Sequence, residues 1–310
     1  MSTALLLFGY AMAVAWCAPP LLGRLTAAGV SARLGLAAWL TAMASALVSA
    51  AVALQFLATA ALAGWSRLAE VVCRSVSGHA CTQAGYQGAA VELALGALAI
   101  VAGLAAAVLA WRYGRSVQRA QQHTRAHADG ARITGRRLPG DDDAVVLDAA
   151  QPVAYCLPGR PATIVVSTGA LALLDPGQLA AVLAHERAHL ASRHHLLIAF
   201  TRGLAAAFPA VPLFTRGAEN VTRLAEMCAD DAAARRSGRG TLVSALLAMA
   251  TGAAMPAHAL GASGCAVTAR LYRLIDDSGP ARRARYGITL ASVTLLLAVA
   301  PALAAGLASR

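Results

Sequence analysis

The stretch Val182–Leu190, VLAHERAHL, decides how the whole chain is read. It carries His185, Glu186 and His189 in the spacing H-E-x-x-H, among the helix formers Leu183, Ala184, Ala188 and Leu190. On a helix, positions four apart project within about 40° of each other, one turn displaced. Both imidazoles therefore face one way and can share a metal ion. Glu186, beside the first of them, is placed to take a proton from an attacking water. Two neutral imidazoles and an open coordination position suit Zn²⁺ used as a Lewis acid.

A hydrolytic zinc needs a third protein ligand, and the only glutamates are Glu70, Glu92, Glu186, Glu219 and Glu226. Glu226 sits in RLAEMCADDAA, with Asp230 one helical turn later on the same face. The expected metal ligands are His185, His189 and Glu226, with Asp230 as the carboxylate that orients a ligand imidazole. Glu219, seven residues earlier, is the rival ligand. His194 and His195 follow His189 by five and six residues, which on a continuous helix puts them well off the metal-facing side.

Composition places this site in a membrane protein. The chain is 58% hydrophobic and 13% charged, with a mean hydropathy of +0.60, where a soluble domain carries about a quarter charged residues. Its net charge of +11 comes from arginine alone. The arginines cluster beside apolar runs, which points to membrane topology rather than direct nucleic-acid binding. Charge-free runs predict a first span over Ser2–Gly23, a second over Leu34–Ser66, a third over Leu93–Trp111 and a fourth over Gly287–Ser309. The first loop holds Arg24 and Arg33. The region after the third span holds seven arginines, from Arg112 to Arg137. By the positive-inside rule both face the cytoplasm, which also leaves Cys73 and Cys81 on the outside, where a disulfide can form.

The expected fold class is therefore a mainly α, multi-span membrane protein, with a zincin-like α+β metalloprotease domain between spans three and four. Residues 1–113 form three transmembrane helices and 114–143 a basic juxtamembrane linker containing His123, His127 and the acid run Asp141–Asp143. Residues 144–286 form the cytoplasmic metalloprotease domain and 287–310 the fourth span. Within the domain, Ala144–Leu147, Val153–Cys156 and Thr163–Ser167 read as short strands, one of them a possible edge for an extended peptide. Asp175-Pro176-Gly177 starts the metal helix, predicted over Gln178–His194. Leu196–Phe214 is apolar but interrupted by Arg202, Pro209 and Pro212, which favours a buried or membrane-dipping helix over a full span. Thr241–Met255 and Cys265–Ile275 read as helices covering the domain.

HERAH followed by E-x-x-A-D resembles the gluzincin membrane proteases, both the HtpX/CAAX-protease group and the BlaR/MecR antibiotic-sensing group. The run Val146–Leu171 and the ending ADDAA, Ala229–Ala233, are more similar to the second group. The resemblance implies a zinc endopeptidase in the plasma membrane, with His185, His189 and Glu226 on the metal, Glu186 as general base and Asp230 orienting a ligand. It implies a cytoplasmic protein substrate, such as a transcriptional repressor in an envelope- or antibiotic-stress pathway. The chain ends after the fourth span with no penicillin-binding sensor domain, which puts a β-lactam signal in question. The alternatives are an HtpX-like quality-control protease and a non-catalytic signalling scaffold that keeps zinc as a structural element. A structural site usually takes four protein ligands, and three are evident, which favours the enzyme.

Overall fold

The structure is a computed structural model. It describes residues 2–27, 30–76, 132–159, 161–252, 263–275 and 280–308, with scattered helical residues between 96 and 130. Two long helices open the chain, α1 (Ser2–Ala27) and α2 (Ala32–Val76). A sheet of β1 (Arg136–Leu138), β2 (Asp141–Leu147), β3 (Ala154–Leu157) and β4 (Thr163–Ser167) follows. Helices α3 (Thr168–Leu173), α4 (Pro176–Ala191), α5 (His194–Ala207), α6 (Pro212–Ser237), α7 (Arg239–Gly252), α8 (Ser263–Ile275) and α9 (Pro280–Ala308) complete it.

Among the described residues, three helices are long and apolar enough to cross a membrane: Thr3–Ala27, Ala32–Ala60 and Ala284–Leu303. They pack together, and Tyr10 fixes their relative level. Its hydroxyl lies 2.7 Å from Ser45 Oγ on α2 and donates to the Leu297 carbonyl on α9 at 3.3 Å. The predicted third span lies partly outside the described residues, so the three matched helices correspond to spans one, two and four. Cys81, His79, His123 and His127 also lie outside them, as does the Cys73 side chain. Helix α2 continues to Val76, ten residues past the predicted end of span two at Ser66.

The sheet order is β1-β2-β4-β3, with β2 and β4 parallel and the outer pairs antiparallel. Every residue of β4 is buried, as a strand covered on both faces must be. Ala144, Ile164 and Val166 face a core shared with Val182 and Leu183 of α4 and Ala245 of α7, while Val145, Leu157 and Val165 form a smaller cluster on the other face. The acid run Asp141–Asp143 begins β2 rather than a linker, and β1 adds a strand that the sequence did not suggest. The sheet thus takes in residues on both sides of the boundary placed at 143/144. Strand β3 is an edge, one residue later than predicted.

Helix α6 joins the two halves of the molecule. Leu213, Phe214, Val221, Leu224, Met227 and Cys228 pack in one core with residues of α1, α2 and α9. Glycines allow the close approach: a Cβ on Gly217 would collide with Met43 and press on Trp39, and one on Gly35 would meet Leu224 at 3.0 Å.

Candidate metal centre

Helix α4 starts with a capping box. The Asp175 carboxylate accepts from the Gln178 backbone N–H at 2.8 Å, the Gln178 side chain accepts from the Asp175 N–H at 3.0 Å, and Pro176 occupies the first turn. Arg187, inside the HERAH motif, points away from the imidazoles. It ties α4 to the start of β2, donating through Nη2 to Asp141 at 2.5 Å and through Nε to Asp143 at 3.1 Å. That pairing gives the acid run a structural purpose and holds the Asp143 carboxyl down at about 2.

On the other face, His185 Nε2 and His189 Nε2 stand 3.1 Å apart, with Glu226 Oε2 3.5 Å from the first and Glu226 Oε1 3.5 Å from the second. One ligand atom from each of the three residues lies within 4.8 Å of the others, the spread of a single cation's coordination shell. Glu219 is exposed and outside this group. Cys228 turns the opposite way, into the core against the spans. Asp230, 1% exposed, puts Oδ1 3.1 Å from His185 Nδ1.

Burial opposes charge on His185, but the Asp230 and Glu226 carboxylates outweigh it and pull its pKa up to about 9. His189 is pushed down to about 4 by burial and by the neighbouring His185. Burial raises the Glu186 carboxyl, an effect moderated by His185 and by the Cys156 thiol and backbone N–H beside it. Cys156 is itself driven up to about 12 by burial and by Glu186, so it stands there as a neutral thiol.

Two parts of the site were missed or misplaced in the sequence. Arg270 of α8 chelates Asp230, with Nε 2.8 Å from Oδ2 and Nη2 2.6 Å from Oδ1, and its Nη1 lies 3.2 Å from Glu226 Oε2. Burial would raise the Asp230 carboxyl, but Arg270 and His185 hold it at about 2. No local signal marks Arg270, because 44 residues separate it from Glu226 in the chain. His194 stands outside the converging group, yet it packs against it. Helix α4 ends at Ala191, three residues earlier than predicted, and the chain turns through Arg193 in the left-handed region (φ 51°). The turn brings buried His194 back, with its Nδ1 3.0 Å from His189 Nδ1. Projection along one continuous helix could not anticipate a reversal. Farther along α6, Arg223 donates to Asn220 at 3.1 Å and reaches Thr26 on α1.

The group lies in a cleft of about 790 Å³ whose walls come from β3 (Ala154, Tyr155, Cys156), α5 (His195, Ile198), α7 (Leu242, Leu246, Met249) and α8 (Val267, Leu271). A family model, Peptidase family M48, matches residues 118–285, which hold the sheet, the cleft and all three converging side chains. The chain belongs to peptidase family M48. M48 peptidases are metal-dependent, and the donor set here fits a metal: two imidazole nitrogens and a carboxylate converge, and a buried acid stands behind the first imidazole. No curated protein and no solved structure matches the chain significantly.

Proposed function

We propose that this M48 peptidase is a zinc endopeptidase, with His185, His189 and Glu226 as the metal ligands and Glu186 as the general base. The observation that carries the reading is the convergence of two Nε2 atoms and a carboxylate beside a separate, half-buried glutamate in an open cleft. Bound there, Zn²⁺ supplies Lewis acidity to a scissile carbonyl and lowers the pKa of a water. Glu186 accepts the water proton and delivers it to the leaving amine, a task helped by burial that raises its carboxyl pKa above the ordinary value. Asp230 and His194 orient the two imidazoles through their Nδ1 atoms, and Arg270 holds Asp230 in place.

Strand β3, an open edge on the cleft wall, takes the substrate as an added strand through main-chain hydrogen bonds. The substrate is a cytoplasmic protein, by analogy a repressor of the kind that the BlaR/MecR group inactivates, and the enzyme resides in the plasma membrane with its domain on the arginine-rich, cytoplasmic side. The competing reading is an HtpX-like quality-control protease.

The deciding experiment compares protein N-termini in cells expressing wild type or Glu186→Ala, with and without envelope stress. A DNA-binding protein whose new N-terminus vanishes in the variant supports the signalling reading. Scattered membrane-protein fragments favour quality control, and identical profiles under all conditions overturn the endopeptidase.

A further inference from the structure

A second cavity, of about 200 Å³, shares no lining residue with the cleft. It lies where α2, the α4–α5 turn and α6 meet. Arg33 and Leu36 come from α2, Ser192 and His194 from the turn, and Cys228 from α6. The volume is several times the share of one water, about 30 Å³, so a group of several heavy atoms fits. Arg33 is the second residue of the apolar window Ala32–Ala60, and the window of α1 ends at Ala27. The cavity therefore sits at the level where those two spans leave the apolar layer. Arg33 and Ser192, both exposed, form its rim.

The lining suits an anion. Among the described residues, none that lines the cavity is a carboxylate and none pairs with the Arg33 guanidinium. The charges that act on the Cys228 thiol are Asp231 against Arg33, Arg235 and Arg273. Asp231 is taken up by Arg273 in two bonds of 2.7 and 2.8 Å, which leaves Arg33 and Arg235 as surplus positive charge. Cys228 is pushed up to about 11, chiefly by burial, so it is a neutral thiol and offers no thiolate to a cation. Helix α5 begins at His194 with no side chain capping it, which adds the positive end of its dipole. His194 supplies a directed donor. It is 2% exposed, and its Nδ1 lies 3.0 Å from His189 Nδ1. A His189 that binds metal through Nε2 carries its proton on Nδ1 and donates it to His194 Nδ1. The one proton of the neutral His194 ring is then on Nε2, which has no partner among the described residues while the ring lines the cavity.

We propose that this cavity is a binding site for a phosphate group, carried by a phospholipid headgroup or free in solution, with Arg33, Ser192 and His194 as its donors. A guanidinium offers phosphate oxygens a planar fork of N–H groups, and an imidazole N–H and a hydroxyl complete a mixed donor set. The cavity is too small for a folded partner, and its place at the end of the spans is where lipid phosphates are concentrated. A phosphate that accepts from His194 Nε2 fixes the tautomer whose Nδ1 accepts from His189. The anion then holds the second ligand imidazole in its metal-binding form from behind. That consequence rests on His189 being a metal ligand; the anion site itself does not.

The test uses the metal-free full-length protein, so that it reads the anion site whether or not zinc binds. Delipidated protein in detergent is dialysed against radiolabelled inorganic phosphate. In parallel, protein extracted from phosphatidylglycerol vesicles is weighed by native mass spectrometry for retained lipid. Each measurement is repeated with Arg33→Gln and with Arg202→Gln, an exposed arginine of α5 that does not line the cavity. The expected result is one phosphate or one lipid per chain, with affinity or retention lowered about tenfold or more by Arg33→Gln and unchanged by Arg202→Gln. Retained lipid without phosphate binding makes the ligand a headgroup, and phosphate binding without retained lipid makes it a free anion. Binding of neither, binding that Arg33→Gln leaves unchanged, or an equal loss in Arg202→Gln overturns the proposal.

Discussion

At the scale of residues, the two ligand imidazoles stand in different electrostatic company. His185 faces the Asp230 carboxylate and His189 faces the neutral His194 ring. In the metal-free protein this holds His185 protonated up to about pH 9, above the ordinary histidine value near 6.5. The raised pKa means that its charged form contributes stability in full below about pH 6.5 and loses that contribution as pH rises through about 9. The same proton must leave before the metal binds. Zinc affinity is therefore expected to rise about tenfold per pH unit from 7 to 9 and then to level off, measured by competition with a chelator. Asp230→Asn should move the plateau to lower pH, and an affinity flat from 7 to 9 would show that no proton on His185 competes with the metal. Sequence spacing placed both histidines on one face, and Glu226 with Asp230 on another, because helix periodicity is local. Arg270 and His194 were not visible that way: the first arrives from a distant helix, and the second only because the chain reverses at Arg193.

At the scale of elements, β3 and α4 form a working pair. The Cys156 backbone N–H stabilises the Glu186 anion, so it faces the cleft rather than β4. Side-to-side alternation along the strand then turns the Ala154 N–H the same way, while Tyr155 and Leu157 keep the ladder to β4. Ala154→Pro removes one outward donor and spares the β4 pairing. The expected outcome is a fall of about tenfold in kcat/KM for peptide substrates, the equivalent of one hydrogen bond of about 1 to 1.5 kcal/mol, with little change in thermal stability. A wild-type kcat/KM would remove β3 as the substrate-binding strand. The strands of this sheet were legible as β-branched runs between prolines and glycines, but their order was not. Which strand becomes the edge depends on β4 inserting between β2 and β3, a pairing among residues distant in sequence.

At the scale of the whole molecule, α6 is shared between membrane and metal centre, with one face on the spans and the other carrying Glu226 and Asp230. The contact depends on Gly217, where a side chain has no room beside Met43 and Trp39. Gly217→Leu is expected to destabilise the protein by about 1 to 3 kcal/mol, the range for overpacking a filled core, and to lower the unfolding temperature in detergent. Zinc retention should fall with it, because Glu226 rides on the same helix. An unchanged unfolding temperature would mean that the spans and the domain are held together elsewhere.

The sequence by itself determined the apolar helices, the H-E-x-x-H face and the carboxylates available to complete it. Each of these depends on periodicity or composition within one segment, and such local preferences are set before any long-range contact forms. Tertiary structure alone decided that Arg270 clamps Asp230, that His194 backs His189, that β3 lies at the cleft edge, and that α6 reaches down beside α2. Those outcomes depend on which distant surfaces fill each other's space and satisfy each other's charges, and no single segment carries that information.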